Sequence, residues 1–294
     1  MKIKNLFASS VLALVLFASC SKSDGGGGTT PTPTPVAAVT TLDVAYGADP
    51  LQKMDIYLPA NRNTASTKIL VLIHGGGWTQ GDKADFNLTF IDTLKKRLPD
   101  YAIFNINYRL AALPSTNPFP AQENDVKAAV NFIYSNRTAN LVSDKFVMMG
   151  ASAGGHLALL HSYKYASPVK VKAVVDFFGP TDMVDLYNNP GAFPQLAIAA
   201  LMSGTPTTNP TLYQQSSPIV QVTATSSPTI IIQGGLDPLV NATRQSQALA
   251  TRLSSFLVPN QYVLYPAGGH GDWDAATYTD AFNKIQAFLG VHVQ

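Results

Sequence analysis

The sequence is poor in cysteine and in charge. Cys20 is the single cysteine among 294 residues, so no disulfide bond can join two parts of the chain, and its stability must come from a packed core. Charged residues make up only 13%, and the net charge of +2 includes no basic or acidic block. This balance argues against a nucleic-acid partner and against an electrostatic membrane partner. No spacing of histidine, cysteine and carboxylate residues is typical of a metal site, and we expect neither a metal ion nor another cofactor.

The N-terminal apolar stretch is too short to cross a bilayer. A basic start over residues 1–4 precedes an uncharged segment, residues 6–19, whereas a transmembrane helix needs about 20 apolar residues. The pattern predicts a signal peptide over residues 1–19 and therefore an exported protein. Small residues just before Cys20 resemble a bacterial lipoprotein signal, which implies a lipid on Cys20 and a membrane anchor at the periplasmic face or the cell surface. Ordinary signal cleavage nearby is the alternative.

The next segment lacks the apolar residues that a folded core requires. Residues 20–36 contain four consecutive glycines and then alternating threonine and proline. Such a composition predicts a flexible to extended tether. Residues 37–294 have the length of one α/β domain.

Hydrophobic patterns in this domain alternate between strands and helices. Residues 41–46 and 53–58 alternate polar with apolar, which predicts a half-exposed antiparallel hairpin at a sheet edge. Continuous apolar runs predict strands, the last of them weaker, over residues 68–74, 101–107, 146–149, 169–177, 229–233 and 261–265. Helical patterns cover residues 86–96, 121–134, 155–163, 241–256 and 275–289. This order predicts a doubly wound, mostly parallel α/β sheet with its ligand site at the carboxyl ends of the strands.

The Gly-Ala-Ser-Ala-Gly motif at residues 150–154 joins a predicted strand to a predicted helix. Its glycines permit a sharp turn and close packing of the helix, which leaves the Ser152 hydroxyl facing outward on a strained turn. The backbone of Ala153 then lies near the positive end of the helix dipole, which favours an oxyanion. Taken alone, the motif also fits a tight turn with an incidental serine.

Three further strand ends have residues suited to chemistry. His-Gly-Gly-Gly-Trp at residues 74–78 leaves backbone N–H donors uncovered after the first buried strand. Asp237 follows the strand at residues 229–233, and His270 lies between glycines after the last strand. The alternatives are a flexible glycine loop, a helix-capping aspartate and a surface histidine.

Together these strand ends place Ser152, Asp237 and His270 in that chain order. A serine hydroxyl is a poor nucleophile until an imidazole accepts its proton, and the imidazole needs a carboxylate to fix its tautomer and stabilise its charged form. Serine, acid and histidine at successive strand ends is the triad order of α/β-hydrolases. The combination of motifs indicates this triad far more specifically than any one motif does.

On these motifs, residues 40–290 resemble the α/β-hydrolase superfamily, in the esterase/lipase branch with the His-Gly-Gly-Gly motif. This branch includes hormone-sensitive-lipase-like esterases and bacterial feruloyl or acetyl esterases. Residues 107–110 and 118–121 match further landmarks, whereas Ala112 and Leu113 replace the Pro-Glu of many members. The resemblance implies an eight-stranded sheet with helices on both faces. It also implies an oxyanion hole built from the N–H groups of Gly76, Gly77 and Ala153.

Other carboxylates and histidines could compete for these roles. Asp182 also follows a strand, but it precedes an insertion where members of this branch often have a structural aspartate. Asp272 and Asp274 are too close in sequence to His270 to orient its ring easily. The remaining histidines near the motifs are interpreted as packing or hydrogen-bonding residues: His74 and His156.

The segment over residues 183–227 is predicted to be an insertion that forms a small cap over the site. Its helical piece spans residues 196–202. Aromatic and apolar residues here and beside the motifs are candidates for the substrate pocket: Trp78, Tyr187, Phe193, Leu201 and Trp273. They could equally be core or surface residues.

The sequence thus predicts a serine carboxylesterase that acts through an acyl-enzyme. Its export suits an external substrate, such as acetyl or feruloyl esters of polysaccharides. The alternatives are a serine peptidase or amidase of the same fold and, in another class, a non-catalytic binding protein. The sequence leaves open the acyl length, the alcohol, the oligomeric state and the membrane leaflet that holds the anchor.

Overall fold

A computed structural model describes residues 35–112 and 114–294. The predicted signal peptide, the predicted lipid site at Cys20 and all but the end of the predicted tether at residues 20–36 lie outside the described residues. Leu113 lies outside them as well.

Eight strands form one twisted sheet in the order β1-β2-β4-β3-β5-β6-β7-β8. The β1–β2 and β2–β4 pairs are antiparallel, and the five other pairs are parallel. The strands are β1 (Val39–Ala45), β2 (Lys53–Leu58), β3 (Lys68–Ile73), β4 (Tyr101–Ile106), β5 (Phe146–Ala151), β6 (Ala173–Phe177), β7 (Thr229–Gly234) and β8 (Asn260–Tyr265). The predicted mostly parallel, eight-stranded α/β-hydrolase sheet is confirmed.

Helices cover both faces of this sheet. They are α1 (Leu88–Arg97), α2 (Ala121–Asn136), α3 (Ala153–Lys164), α4 (Met183–Asn188), α5 (Gln195–Leu201), α6 (Pro210–Gln215), α7 (Ala248–Ser255) and α8 (Ala275–His292). Alternate side chains of β3 point to opposite faces, so that Val71 joins the apolar cluster of α2, α3 and α7, and Leu70 joins that of α1 and α8. Because both faces are covered, the central strands are apolar at nearly every position.

Three predicted elements differ from the structure. The antiparallel hairpin at the sheet edge is present, but the predicted half-exposure is wrong for β2, which is buried between β1 and β4, whereas the edge strand β1 is exposed. Strand β6 begins at Ala173 rather than at residue 169, so residues 169–172 lie outside the strand. The helix predicted over residues 241–256 is a π-helical turn, Ala242–Gln247, followed by α7.

Asp176 is a carboxyl group buried in the middle of β6, beside Gly150 of β5. Its Oδ1 accepts a hydrogen bond of 3.0 Å from the Gly179 N–H, and its Oδ2 has no partner among the described residues. Burial raises the pKa of Asp176 well above its usual range, because the charged form is poorly solvated there. The native protein therefore binds a proton at Asp176 that the unfolded chain releases above about pH 4.

This proton makes stability depend on pH. Since the native state binds more protons than the unfolded state, the free energy of unfolding should fall as pH rises above about 4 toward the raised pKa. Asp176→Asn keeps the acceptor for Gly179 and carries no charge, so it should flatten this slope and raise stability at pH 7 to 8. Urea unfolding of both proteins from pH 4.5 to 8 measures the difference. Parallel pH profiles for the two proteins would contradict it.

Candidate active site

The turn between β5 and α3 presents Ser152 with a left-handed backbone, φ 55° and ψ −122°. Its N–H donates to the Phe177 carbonyl over 2.8 Å. A Cβ on Gly150 would lie 2.2 Å from the Gly154 carbonyl oxygen, and one on Gly154 would lie 2.0 Å from that of Ile73. Both glycines are therefore required because backbone approaches backbone at this turn.

The structure brings Ser152, His270 and Asp237 together. The Ser152 Oγ lies 2.9 Å from His270 Nε2, and His270 Nδ1 lies 2.7 Å from an Asp237 carboxylate oxygen. His270 lies in the loop after β8, and Asp237 lies in the loop after β7. Three residues distant in sequence thus form one chain of hydrogen bonds at the carboxyl edge of the sheet.

Asp237 is held by several hydrogen-bond donors. One carboxylate oxygen accepts the N–H groups of Leu239 and Val240 at 2.8 and 2.9 Å, and the other accepts Gln233 Nε2 at 3.0 Å. Burial opposes ionisation of this carboxyl group, but the hydrogen bonds from His270, Val240 and Leu239 hold its pKa below the usual range. Asp237 is therefore charged at neutral pH and fixed in orientation toward His270.

The rival carboxylates occupy other positions. Asp182 caps α4 by accepting the N–H groups of Val184 and Asp185 at 2.9 and 3.0 Å. Asp274 caps α8 by accepting the Thr277 N–H at 2.7 Å. Asp237 does not cap the helix that follows it, because Asn241 is the N-cap of that helix.

The glycine loop after β3 contains three consecutive left-handed residues. The φ values of Gly76, Gly77 and Trp78 are 99°, 57° and 61°. Among the described residues, the N–H groups of Gly76 and Gly77 donate to no acceptor. Ala153 is the first residue of α3, where an N–H has no partner within the helix. The predicted oxyanion-hole residues therefore carry backbone donors that are available to a bound group.

A cavity of about 550 Å³ opens between this loop and the insertion. Ser152 and His270 lie at its polar end together with the glycine loop. Of the predicted pocket residues, Trp78, Phe193 and Leu201 line it. Helix α5 adds Ile198, so the lining that the insertion contributes is apolar. The volume falls in the range of small-molecule sites, about 300–1,000 Å³.

The other two predicted pocket residues do not line this cavity. Tyr187 packs edge-on against Tyr213, with ring centroids 5.9 Å apart. Trp273 donates from Nε1 to the Gly269 carbonyl over 3.0 Å, and this bond supports the loop that carries His270. Tyr278 does the same on the other side of His270, with its hydroxyl 2.5 Å from the Gly271 carbonyl.

Phe178 is a cavity residue that the motif analysis missed. Its ring centroid lies 4.6 Å from that of His270, and it lines the cavity. It directly follows β6, so the rule that ligands bind at the carboxyl ends of strands would have found it.

His74 lies beneath the glycine loop. Its Nδ1 is 2.8 Å from the Gly75 carbonyl, and its ring stacks on Tyr108 at a centroid distance of 4.3 Å. Burial lowers the pKa of His74, so its ring is a neutral support for the loop. His156 is also buried.

Within residues 35–112 and 114–294, no group of three or more histidine, cysteine and carboxylate residues could hold a metal ion. In the same part of the chain, every helix is too short or too polar to cross a bilayer.

The BD-FAE family profile matches residues 54–253, which is more than half of the chain. The chain belongs to the BD-FAE family. A solved structure described as a truncated carbohydrate esterase from gut microbiota is 25% identical, with a TM-score of 0.75 over 88% of this chain and 97% of that one. A bifunctional GH43-CE protein of Bacteroides eggerthii is 28% identical, with a TM-score of 0.74 over 87% of this chain and 35% of that one.

Esterase LipC of Mycobacterium tuberculosis is 26% identical to this BD-FAE member over 242 residues, 78% of this chain and 59% of LipC. The chain thus spans little more than half the length of this curated relative. These similarities relate the chain to carboxylic ester hydrolases and agree with the α/β-hydrolase sheet.

Gly76 and Gly77 of the glycine loop should differ in their tolerance of a side chain. A Cβ on Gly76 would lie 2.0 Å from the Gln80 carbonyl oxygen, whereas one on Gly77 would meet only Phe193 at 3.6 Å. Gly77→Ala should therefore lower the free energy of unfolding by about 1–2 kcal/mol, because the only cost is the strain of a left-handed backbone. Gly76→Ala should cost more because the loop backbone must move. Urea unfolding of both variants measures this order, and equal losses would refute the assigned loop geometry.

Proposed function

We propose that this BD-FAE protein is a serine hydrolase of carboxylic esters. The observation that carries the proposal is the hydrogen-bonded chain from Ser152 through His270 to Asp237, with links of 2.9 and 2.7 Å at the polar end of the cavity. The relationship to proteins named as esterases supports the same reaction class.

The geometry supports a two-step reaction. His270 donates from Nδ1 to Asp237, which leaves Nε2 to accept the Ser152 proton as Oγ attacks the ester carbonyl. The N–H groups of Gly76, Gly77 and Ala153 would stabilise the oxyanion, since none of them donates to another acceptor among the described residues. His270 then protonates the leaving alcohol, and the acyl group stays on Ser152 until a water molecule, activated by His270, releases the acid.

The apolar lining of the cavity supports a site for an acyl group. The apolar wall of the cavity, formed by Phe193, Ile198 and Leu201, suits the acyl side of an ester. We propose acetyl or feruloyl esters of polysaccharides as substrates. One similar structure is described as a carbohydrate esterase and another as a bifunctional GH43-CE protein. The predicted export, with a lipid on Cys20, would place the enzyme beside such polymers.

Replacement of the nucleophile and of its acid partner tests the reaction. Ser152→Ala should lower kcat for p-nitrophenyl acetate by at least about 10³-fold, and Asp237→Asn by up to about 10⁴-fold, because the amide favours the wrong tautomer of His270. Asp182→Asn is the matched control, since that carboxylate caps a helix away from His270, and it should leave kcat within about threefold. Circular dichroism checks that each variant is folded. An active Ser152→Ala protein would end the proposal.

The bond that is cleaved can be tested with the unmodified protein. Hydrolysis of p-nitrophenyl acetate without hydrolysis of p-nitroacetanilide would support an esterase, since both substrates deliver the same acyl group. Labelling of Ser152 by a fluorophosphonate probe, absent in Ser152→Ala, reports an activated serine. Cleavage of the anilide at a comparable kcat/KM would favour an amidase instead.

The apolar wall should set acyl selectivity. Ile198 is 3% exposed and lines the cavity, so Ile198→Trp should fill much of the acyl end. We expect kcat/KM for methyl ferulate to fall at least about tenfold relative to that for p-nitrophenyl acetate. Leu196→Trp on the same helix is the control, because Leu196 is 84% exposed. The same acetyl-to-feruloyl ratio in all three proteins would place the acyl group elsewhere.

A further inference from the structure

The oxyanion loop contains one residue whose backbone is sterically unfavourable. Glycine adopts left-handed φ values freely, which accounts for Gly76 and Gly77. Trp78, at φ 61°, is a bulky residue in that region, where its Cβ crowds the backbone. Such a conformation persists only where surrounding contacts over-determine it. The contacts of Trp78 therefore decide whether the loop keeps its shape.

Two contacts hold Trp78 from opposite ends. Its carbonyl accepts the Ala111 N–H over 2.9 Å. Its indole ring is 1% exposed, and its Nε1 donates to His156 Nδ1 over 3.2 Å. The two rings meet edge-on, with centroids 5.2 Å apart and an interplanar angle of 89°.

His156 lies one turn after the nucleophile on α3, where its N–H donates to the Ser152 carbonyl over 3.0 Å. Its ring is fully buried. Because Nδ1 accepts from Trp78, Nε2 must carry the ring proton, and it donates to the Ser216 carbonyl over 2.7 Å. Burial lowers the pKa of His156 to about 4, so the ring keeps this neutral tautomer at neutral pH.

One imidazole ring thus joins three elements of the site. It belongs to the helix that begins with Ala153, it binds the loop that contains Gly76 and Gly77, and it binds the insertion at Ser216. The proposed oxyanion hole takes donors from two of these elements. Their spacing must be kept to a few tenths of an ångström for both to reach one oxygen.

We infer that His156 is a positioning residue that fixes the oxyanion loop, through Trp78, against the helix that carries the nucleophile. This inference rests on the proposed ester hydrolysis. A leucine or phenylalanine could fill the same volume, but neither could accept the indole N–H and donate to the Ser216 carbonyl. The two roles of the ring are separable by substitution. Asparagine offers an acceptor near the position of Nδ1 and does not reach Ser216.

Three variants test the inference: Trp78→Phe, His156→Leu and His156→Asn. The first two remove the bond between indole and imidazole, and the third keeps an acceptor for it. With p-nitrophenyl acetate, Trp78→Phe and His156→Leu should lower kcat about 10- to 100-fold and leave KM within about twofold, because the lost interaction acts in the transition state. His156→Asn should keep kcat within about threefold of the unmodified protein, although its unfolding midpoint in urea should fall, since the Ser216 carbonyl loses its donor.

The affinity of a trifluoromethyl ketone inhibitor measures stabilisation by the oxyanion hole directly, because its adduct with serine carries an oxyanion. Its inhibition constant should rise in Trp78→Phe and His156→Leu by the same factor by which kcat falls. The double variant should be no worse than the poorer single variant, since both changes break one bond. Endpoint titration with a fluorophosphonate counts the reactive serines in each preparation. Each kcat is then expressed per active serine, so that misfolded protein does not affect the comparison.

The outcomes separate this inference from the proposed function. Activity in Ser152→Ala would overturn both. An inactive Ser152→Ala protein together with unchanged kcat per active serine in Trp78→Phe would overturn the positioning role alone. Equal kcat losses in His156→Asn and His156→Leu would also overturn it, because the acceptor would then be irrelevant. If His156→Leu does not fold, Trp78→Phe still decides the question, since it leaves the histidine in place.

Discussion

The close approach of two backbones, at the start of α3 and the end of β3, determines the geometry of the site. Gly154 lies so near the Ile73 and His74 carbonyls that a Cβ would come within 2.0 and 2.5 Å of their oxygens. This contact places Ser152 next to the loop that begins at His74. A larger residue at this point would separate Ser152 from the glycine loop, and no later adjustment of side chains could bring back the backbone donors.

Three non-glycine residues with a left-handed backbone lie around the same edge of the sheet. Ser152, Phe178 and Trp78 have φ values of 55°, 44° and 61°, and all three line the cavity. Each is held by buried groups: the Ser152 N–H donates to the Phe177 carbonyl, the Phe178 N–H donates to the Ile232 carbonyl, and Trp78 is held through its indole. The parallel strands beneath supply a rigid support, which is why unfavourable conformations persist here rather than relaxing.

The sequence predicted the parts of this arrangement that depend on local patterns. Apolar runs located the strands, and the residues that follow them located Ser152, Asp237 and His270, because parallel strands end at one edge. The side-chain directions of the insertion could not be predicted in this way. Tyr187 and Leu201 both lie on short helices of the insertion, and the local sequence does not distinguish them. The way α4 and α5 pack decides that Leu201 lines the cavity and that Tyr187 contacts Tyr213 instead. The burial of β2 could not be predicted either, because it depends on pairing with β4, which is distant in sequence.

The insertion is attached to the site at three separate points, and this limits how the cavity can change. The Ala192 N–H donates to the Pro238 carbonyl, beside Asp237, over 2.9 Å. The Leu201 carbonyl accepts the Phe119 N–H over 2.9 Å, and the Ser216 carbonyl accepts from His156. Three attachments spaced along one segment oppose a hinge motion, because a hinge requires one end to be free. We therefore expect the volume of the side chains in the apolar wall, rather than a closing movement, to set which acyl groups the proposed esterase accepts.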